Sequence, residues 1–396
     1  MNKKRIAIFS PFFFPEAIST GKYNSYLAQQ LQQEGHDVHV ITSFPLYPNW
    51  RPTFTRNGLP GINILRGGKR IYYPQSAILR RLILELWFLF HSCRQSYSIR
   101  NEIDIIVFIF PPTLFSLLVC TIFPKSVKKT GIIHDIQGIM ANTTKSPIRR
   151  ITALALKTLE KLSYRRCDQL ICLSESMKSA LIDIYSTPPF KCSIKYPFIT
   201  HNTEGVSNSL KDIFPENQTH VVYSGALGEK QCPELLLEVF KNLTTSSNDV
   251  ACHLFSAGAI FRKLQKKYQN SKRINFHPLV EEEYLLELYK RSDIQILPQA
   301  PGTGDGAFPS KLPNILAAGT PIFAICEEKS EVSRVIRKLN AGQVGTSFDA
   351  RTLSREILNK ISDVKNKPGY ADDPQIRKSI HEMFSLDSLS KLITEP

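Results

Sequence analysis

The chain lacks several features that would have placed it quickly. It has no Cys-x-x-Cys pair: its eight cysteines (Cys93, Cys120, Cys167, Cys172, Cys192, Cys232, Cys252, Cys326) stand singly, several of them inside apolar runs. That pattern argues against a zinc ribbon or a disulfide framework and suits reduced core thiols. The opening MNKKRIAIFSPFFFP has no small-residue cleavage site and runs straight into a strand pattern, so no signal peptide is expected. No apolar stretch is both long and unbroken. Residues 105–123 carry no charge, but Pro111-Pro112 interrupts them, and a buried strand, a turn and a core helix are expected in place of a membrane span. The first strand is followed by one glycine, Gly21, and not by a dinucleotide fingerprint.

Acidic residues are scarce in one half only. Residues 1–200 hold 26 Lys and Arg against 11 Asp and Glu, and residues 201–396 hold 24 against 24, so the first half carries all of the net +15. A one-sided basic field fits an anionic partner such as a membrane surface, a phosphorylated acceptor or nucleic acid, with a merely solvated surface as the alternative. A length of 396 residues exceeds what one core usually supports, so two domains are expected, in a chain that is 42% hydrophobic and 21% charged like a globular enzyme.

In chain order, Lys4–Ser10 reads as a strand, Lys22–Glu34 as an amphipathic helix stopped by Gly35, and HDVHVIT as a second strand. This is a βαβ unit opening a doubly wound sheet. Ile62–Leu65 and Lys69–Tyr72 read as short strands. Leu79–Cys93 reads as a helix whose apolar surface, flanked by Arg80, Arg81 and Arg94, suits either a membrane interface or packing on the sheet. Thr130–His134 is a strand ending in His134-Asp135, a polar pair at the edge where parallel sheets bind ligands. A helix over 148–164 and a strand ending at Ser174 follow, and the Pro-punctuated stretch Tyr196–Pro215 is the candidate linker. A second α/β series then begins at His220–Gly225, with Gly225, Gly228 and Gly258 after its strands and Lys230 in its first loop.

The series ends in Pro298–Pro321, PQAPGTGDGAFPSKLPNILAAGTP, after the apolar run IQIL. Strand, glycine loop and helix present free amides and a positive helix end to a phosphate, although ordinary βα turns share the pattern. Ser310 is the expected N-cap of a helix over 310–318, and Lys311 adds a cation in its first turn.

The segments PFFFPEAISTGKYNSYLAQQLQQEGHDVHVIT, CDQLICLSESM, YSGALGEKQCPELLLEVF, INFHPLVEEEYLLELYKRSDIQILPQ and FPSKLPNILAAGTPIFAI, in that order, resemble glycosyltransferase family 4. With SFPLYP they resemble its branch acting in bacterial O-antigen and capsular polysaccharide synthesis. The resemblance implies an α/β GT-B fold, two doubly wound Rossmann-like domains facing each other across a cleft. Residues 1–200 would bind acceptor, 201–374 would bind a nucleotide-sugar, and a helix in 375–396 would cross back to the first domain. It implies a retaining sugar transfer from a UDP- or GDP-linked donor to a lipid-linked or glycan acceptor hydroxyl, by a cytoplasmic protein associated peripherally with the inner face of an anionic membrane. No cofactor, metal or nucleic-acid partner is expected; the absence of Asp-x-Asp, the usual metal-diphosphate motif of the other major transferase fold, agrees. A nucleotide-sugar epimerase, or a degenerate homologue that binds membrane or nucleic acid, stands as the alternative.

Carried over by position, His134, Asp135 and Lys230 would serve catalysis, with Lys230 also holding the diphosphate. Gly225, Gly228 and Gly258 would let the donor approach the backbone. Asp305, Gly306, Ser310 and Lys311 would close the other side, Asn314 would bond the ribose, and Thr20 and Gly21 would lie beside the diphosphate. Three departures stand out: Ala226 replaces an arginine common in the family, and Gly306 and Asn314 replace the two glutamates of its Glu-x7-Glu motif.

Overall fold

Apolar runs rich in β-branched and aromatic residues fold as parallel strands buried on both faces, as sheets covered by helices on each side require. The structure, a computed structural model, describes residues 3–16, 18–46, 49–140, 147–200, 208–304, 308–366, 370 and 373–395. Thirteen strands are found among them. The first sheet holds β1 (Arg5–Phe9), β2 (Asp37–Ser43), β3 (Ile62–Gly67), β4 (Ile105–Phe110), β5 (Lys128–Ile133), β6 (Gln169–Cys172) and β7 (Cys192–Ile194). The second holds β8 (Thr219–Ser224), β9 (Val250–Phe255), β10 (Ile274–His277), β11 (Ile294–Pro298), β12 (Ile322–Ile325) and β13 (Gly342–Gly345).

Spatial order is β3-β2-β1-β4-β5-β6-β7 in one sheet and β10-β9-β8-β11-β12-β13 in the other. All neighbouring pairs are parallel. Winding therefore reverses between β1 and β4 and again between β8 and β11. At such switch points the flanking loops part and leave a crevice at the carboxyl ends of the strands.

The chain divides into two compact units, 1–197 with 385–396, and 198–384. The first is built on aromatic packing. Phe115 lies 5.0 Å from Phe88 and 5.6 Å from Phe108, and Phe110 lies 5.4 Å from Tyr164. Each ring withdrawn from water contributes roughly 1.5–3 kcal/mol. In the second unit, Val221 and Tyr223 pack with Leu236, Phe240, Leu353 and Ile357 on one face of the sheet. On the other face Val222 and Phe255 pack with Phe214 and Leu288.

That second face also carries a row of three histidines. His220 Nε2 lies 2.9 Å from the Pro215 carbonyl, His220 Nδ1 lies 3.1 Å from His253 Nε2, and His253 Nδ1 lies 3.1 Å from His277 Nε2. A carbonyl only accepts, so His220 Nε2 donates to it. In neutral rings this sets the tautomers in turn: His253 Nε2 donates to His220, and His277 Nε2 donates to His253.

Several sequence expectations are corrected. Lys69–Tyr72 is loop, because the chain turns at Gly68 (φ 81) directly after β3. The helix after β1 starts earlier than expected, at Ser19, and the helix expected over 79–93 extends over Ala77–Ile99. The latter buries Leu84 and Phe88 and exposes Ile78, Leu79, Leu82, Leu86 and Phe90. The stretch expected as one terminal helix is two, Pro374–Met383 in the second unit and Asp387–Thr394 in the first. Asp387 Oδ1 accepts from Gln30 Nε2 at 3.0 Å and Ser390 Oγ donates to Glu34 Oε1 at 2.6 Å, holding the last helix on Ser19–Gln33. The units divide at 197/198 and 384/385, three and ten residues from the expected 200/201 and 374/375. Among the described residues no helix is long and apolar enough to cross a membrane, and residues 105–123 form the expected strand, turn and helix.

Burial, then the neighbouring histidines, lowers His253 to about 3, and burial lowers His277 as well. The folded protein therefore binds fewer protons than the unfolded chain between about pH 3 and 6.5. Stability is complete above pH 6.5 and falls as pH drops. At pH 5, His253 alone is expected to cost about 2 kcal/mol. Denaturant unfolding of the protein from pH 7 to 5 should show the loss, and His253→Gln should flatten the slope. A slope unchanged by that substitution would contradict the assignment.

Candidate active site

The carboxyl ends of β8 and β11 bring two of the expected residues together. Lys311 Nζ reaches back to donate to the Ser224 carbonyl at 2.9 Å and stands 3.9 Å over the Tyr223 ring. A Cβ on Gly225 would lie 3.7 Å from that Nζ, and Gly225 itself has φ +126, which only glycine adopts easily. Burial lowers the Lys311 ammonium to about 7. With one carbonyl and one ring face for partners, the ammonium retains hydrogens for an incoming anion.

Lys230 stands exposed in the turn Glu229–Gln231, and its carbonyl accepts from Ala300 N at 2.8 Å, which ties the loop after β8 to the loop after β11. Gly228 donates to Gln231 Oε1 at 2.9 Å and opens that turn. Gly258, with φ +102, opens the helix Ala259–Lys267, and no atom lies within 4 Å of where its Cβ would be. That backbone can be approached closely. Gly302 N is held by Glu327 Oε2 at 2.8 Å. Asp305 and Gly306 lie outside the described residues.

One expectation in this loop changes. The helix begins at Leu312 with Lys311 at the N-cap position and no side-chain cap, so Ser310 is a half-buried loop residue and not the cap. Asn314 faces the chain's own backbone. Its Oδ1 accepts from Thr200 N at 2.8 Å and its Nδ2 donates to Thr200 Oγ1 at 2.9 Å. Its amide thus fixes the segment that enters the second unit.

Two side chains absent from the sequence reading belong here. Gln299, just past β11, is 8% exposed, and Ser256, just past β9, is fully buried. Gln299 Oε1 and Ser256 Oγ are buried without a hydrogen-bond partner. Such orphans cost about 1–3 kcal/mol each unless a ligand or water meets them. Their position immediately after strand ends was the available signal, masked by their ordinary residue types.

In the first unit, His134 follows β5 and its amide donates to the Phe110 carbonyl at 3.0 Å. Its Nε2 is enclosed and unpartnered, and burial lowers the imidazole to about 4, so it is neutral at pH 7. The loop carrying His134 and Asp135 is fixed from below by Glu160, 1% exposed. Glu160 accepts from Gln137 N at 2.9 Å, Gly138 N at 3.1 Å and Tyr185 Oη at 2.6 Å, and burial raises its carboxyl. Glu85 does the same for the loop after β4, accepting from Thr113 N and Leu114 N, each at 2.9 Å through Oε2. Glu16 accepts from Leu46 N at 2.9 Å after β2. None of these glutamates was distinguished by sequence.

Thr20 and Gly21 lie in the first turn of the helix after β1. A Cβ on Gly21 would meet Glu16 Cβ at 2.9 Å. Packing against Glu16 therefore explains this glycine, whatever lies beyond it.

The sequence profile of Glycosyltransferase Family 4 matches residues 20–203, and that of Glycosyl transferases group 1 matches residues 207–370. A protein of Escherichia coli (strain K12) named as a colanic acid biosynthesis glycosyl transferase, WcaI, is 24% identical over 404 residues, covering 91% of this chain and 97% of that one. Among solved structures, sucrose-phosphate synthase from Thermosynechococcus elongatus superposes with a TM-score of 0.75 at 15% identity, over 98% of this chain and 97% of that one. WaaG, titled a glycosyltransferase involved in lipopolysaccharide biosynthesis, gives 0.70 at 14% identity, over 99% and 100%.

Asn314→Ala is expected to lower the unfolding free energy by about 1–3 kcal/mol through loss of the Thr200 clamp. Affinity for uridine or guanosine diphosphate should stay within about threefold, less than one lost hydrogen bond is worth. A much larger affinity loss at unchanged stability, read by titration calorimetry and thermal unfolding, would instead point to the ribose role.

Proposed function

The chain belongs to the GT-B glycosyltransferases, with Glycosyltransferase Family 4 in its first half and Glycosyl transferases group 1 in its second, and we propose that it moves a sugar from a UDP- or GDP-linked donor to a lipid-linked or glycan acceptor hydroxyl during cell-surface polysaccharide synthesis. The observation that carries this reading is Lys311 at the β8/β11 switch point, poised on Ser224 beside Gly225 with donors to spare. The open backbone at Gly258 and the orphan Ser256 Oγ, just past β9, and the orphan Gln299 Oε1, just past β11, lie at the carboxyl ends of the same sheet and support it.

In this reading the nucleotide diphosphate lies over Gly225 and Gly258, and Lys311 and Lys230 stabilise the charge that develops on it as the sugar–phosphate bond breaks. Gln299 Oε1 accepts from the base or ribose. The acceptor oxygen bonds to the anomeric carbon on the face the phosphate leaves, and its proton passes to the departing phosphate, so configuration is retained. No metal is required for this arrangement of cations and amides.

Exposed leucines support a membrane-bound acceptor. Leu79, Leu82, Leu86 and Phe90 form an apolar stripe on Ala77–Ile99, the neighbouring helices Leu114–Ile122 and Pro147–Arg165 add Leu118, Leu154 and Leu162, and Arg94 and Arg100 flank the stripe. An apolar face with basic neighbours suits the interface of an anionic bilayer, where each cation contributes about 1 kcal/mol.

A bound diphosphate raises the Lys311 pKa from about 7, so donor binding takes up a proton. Uridine or guanosine diphosphate affinity should then fall by up to about tenfold per pH unit above 7. Calorimetry in buffers of different ionisation enthalpy should detect the uptake in wild type and not in Lys311→Met. Turnover with a panel of nucleotide-sugars should drop strongly in Lys230→Ala and Lys311→Ala. Wild-type activity in both would sink the diphosphate assignment, and conversion of a UDP-sugar without any acceptor would favour an epimerase. The protein should sediment with phosphatidylglycerol vesicles at low salt, leave them at high salt, and bind less after Leu86→Asp. Equal recovery from neutral vesicles would remove the membrane proposal.

A further inference from the structure

The row of histidines on the second unit's sheet has no part in the sugar transfer, and it opens on a cavity. Side chains on β9 and β10 alternate between the two faces of the sheet. Val250, Cys252, Leu254 and Ile274 join the apolar core on one face. Ala251, His253, Asn275 and His277 face the other way and line a cavity of about 410 Å³. Small-molecule sites span roughly 300–1,000 Å³. β10 is the outer strand of its sheet, so this polar face lies at an edge, beside the smaller cluster of Phe214, Val222, Phe255 and Leu288.

The cavity combines cations with fixed acceptors. Lys272 and Arg273, directly before β10, both line it, and Lys272 is exposed without an ion pair among the described residues. Arg273 donates to the carbonyls of Ser247 and Thr244, and to Asn248 Oδ1 at 3.3 Å. Those partners are neutral, so they hold the guanidinium in place without cancelling its charge. Because His220 donates to the Pro215 carbonyl, the neutral row runs in one direction, and His277 Nε2 carries the hydrogen given to His253. His277 Nδ1 is therefore a bare acceptor, and no hydrogen bond reaches it among the described residues. The ring is held in plane by Phe255, whose centroid lies 4.4 Å away. Asp212, exposed on the same cavity, is a second acceptor.

We infer that this cavity is a second ligand site, for a small phosphate that also carries a hydroxyl, with Lys272 and Arg273 attracting the oxyanion and His277 Nδ1 and Asp212 accepting from the hydroxyl. Cations alone would take any anion. A sulfate at pH 7 only accepts, so against His277 Nδ1 it would set one lone pair against another. Inorganic phosphate keeps a P–OH at that pH, and a polyol monoester supplies C–OH groups. A metal ion fits poorly: two cationic side chains share the cavity, and among the described residues no group of three His, Cys, Asp or Glu is placed to hold one. The site uses none of the residues assigned to the sugar donor, and it goes beyond the transferase reading.

The test titrates the full chain by calorimetry at pH 7 and constant ionic strength with inorganic phosphate, glycerol 3-phosphate and sulfate. The better phosphate is expected to bind about tenfold or more tightly than sulfate, the worth of one charge-assisted hydrogen bond that sulfate cannot make. Which of the two phosphates binds better tells free phosphate from an ester as the source. Lys272→Glu, at an exposed position that leaves the core intact, should weaken both by about tenfold or more. His277→Phe keeps a ring against Phe255 but removes the acceptor, and should erase the preference over sulfate. Lys311→Met should leave this binding unchanged. If His277→Phe does not fold, Lys272→Glu and the sulfate comparison decide. No measurable phosphate binding, equal affinity for sulfate, or binding that survives Lys272→Glu but not Lys311→Met would overturn the site.

Discussion

Loops that follow parallel strands carry main-chain amides that no ladder satisfies, and in the first unit buried glutamates meet that demand. Glu16, Glu85 and Glu160, each no more than 6% exposed, accept from amides of the loops after β2, β4 and β5. A carboxylate in that environment is costly unless its oxygens are bonded, and an amide is costly unless it has an acceptor. Each supplies what the other lacks, so the loops are held without further secondary structure. The placement of His134, of Thr113 after the Pro-Pro turn and of the Trp50 loop all depends on this exchange.

The second unit solves the same problem differently. Its loops are latched by main-chain bonds, Ala300 to Lys230 and Gly302 to Glu327, and its cation comes from Lys311 folded back onto Ser224. The departures from the family pattern acquire a physical sense here. Where Ala226 leaves no arginine, Lys311 Nζ stands against the Tyr223 ring and the Ser224 carbonyl, and burial lowers its ammonium. Where a motif glutamate would stand, Asn314 secures Thr200. A carboxylate could accept from Thr200 N there but could not donate to its hydroxyl, as the amide does.

Much of the fold was legible from local pattern. Runs such as IIVFIF and THVVYS are buried throughout, and nothing but a covered parallel strand suits them. The Pro-Pro break after Phe110 and the strand-end positions of His134, Gly225 and Gly258 were equally readable. The errors fell where local signals compete with tertiary contacts. Ser310 carries a capping side chain, but the helix starts two residues later. Lys69–Tyr72 alternates like a strand, but no neighbouring strand is available beyond Gly68.

By itself, the sequence determined the class of the protein: alternating strand and helix periods, glycines at strand ends, a basic first half, and motif strings in family order. These are properties of short windows and of their succession. Only the tertiary structure decided which polar groups are bonded within the protein and which are buried without a partner. Asn314, Gly21, Gln299 and the three glutamates are ordinary in their windows. Their roles are set by residues distant in sequence, as Asn314 is by Thr200 and Glu160 by Gln137 and Tyr185, and a hydrogen bond has meaning only once both partners are placed.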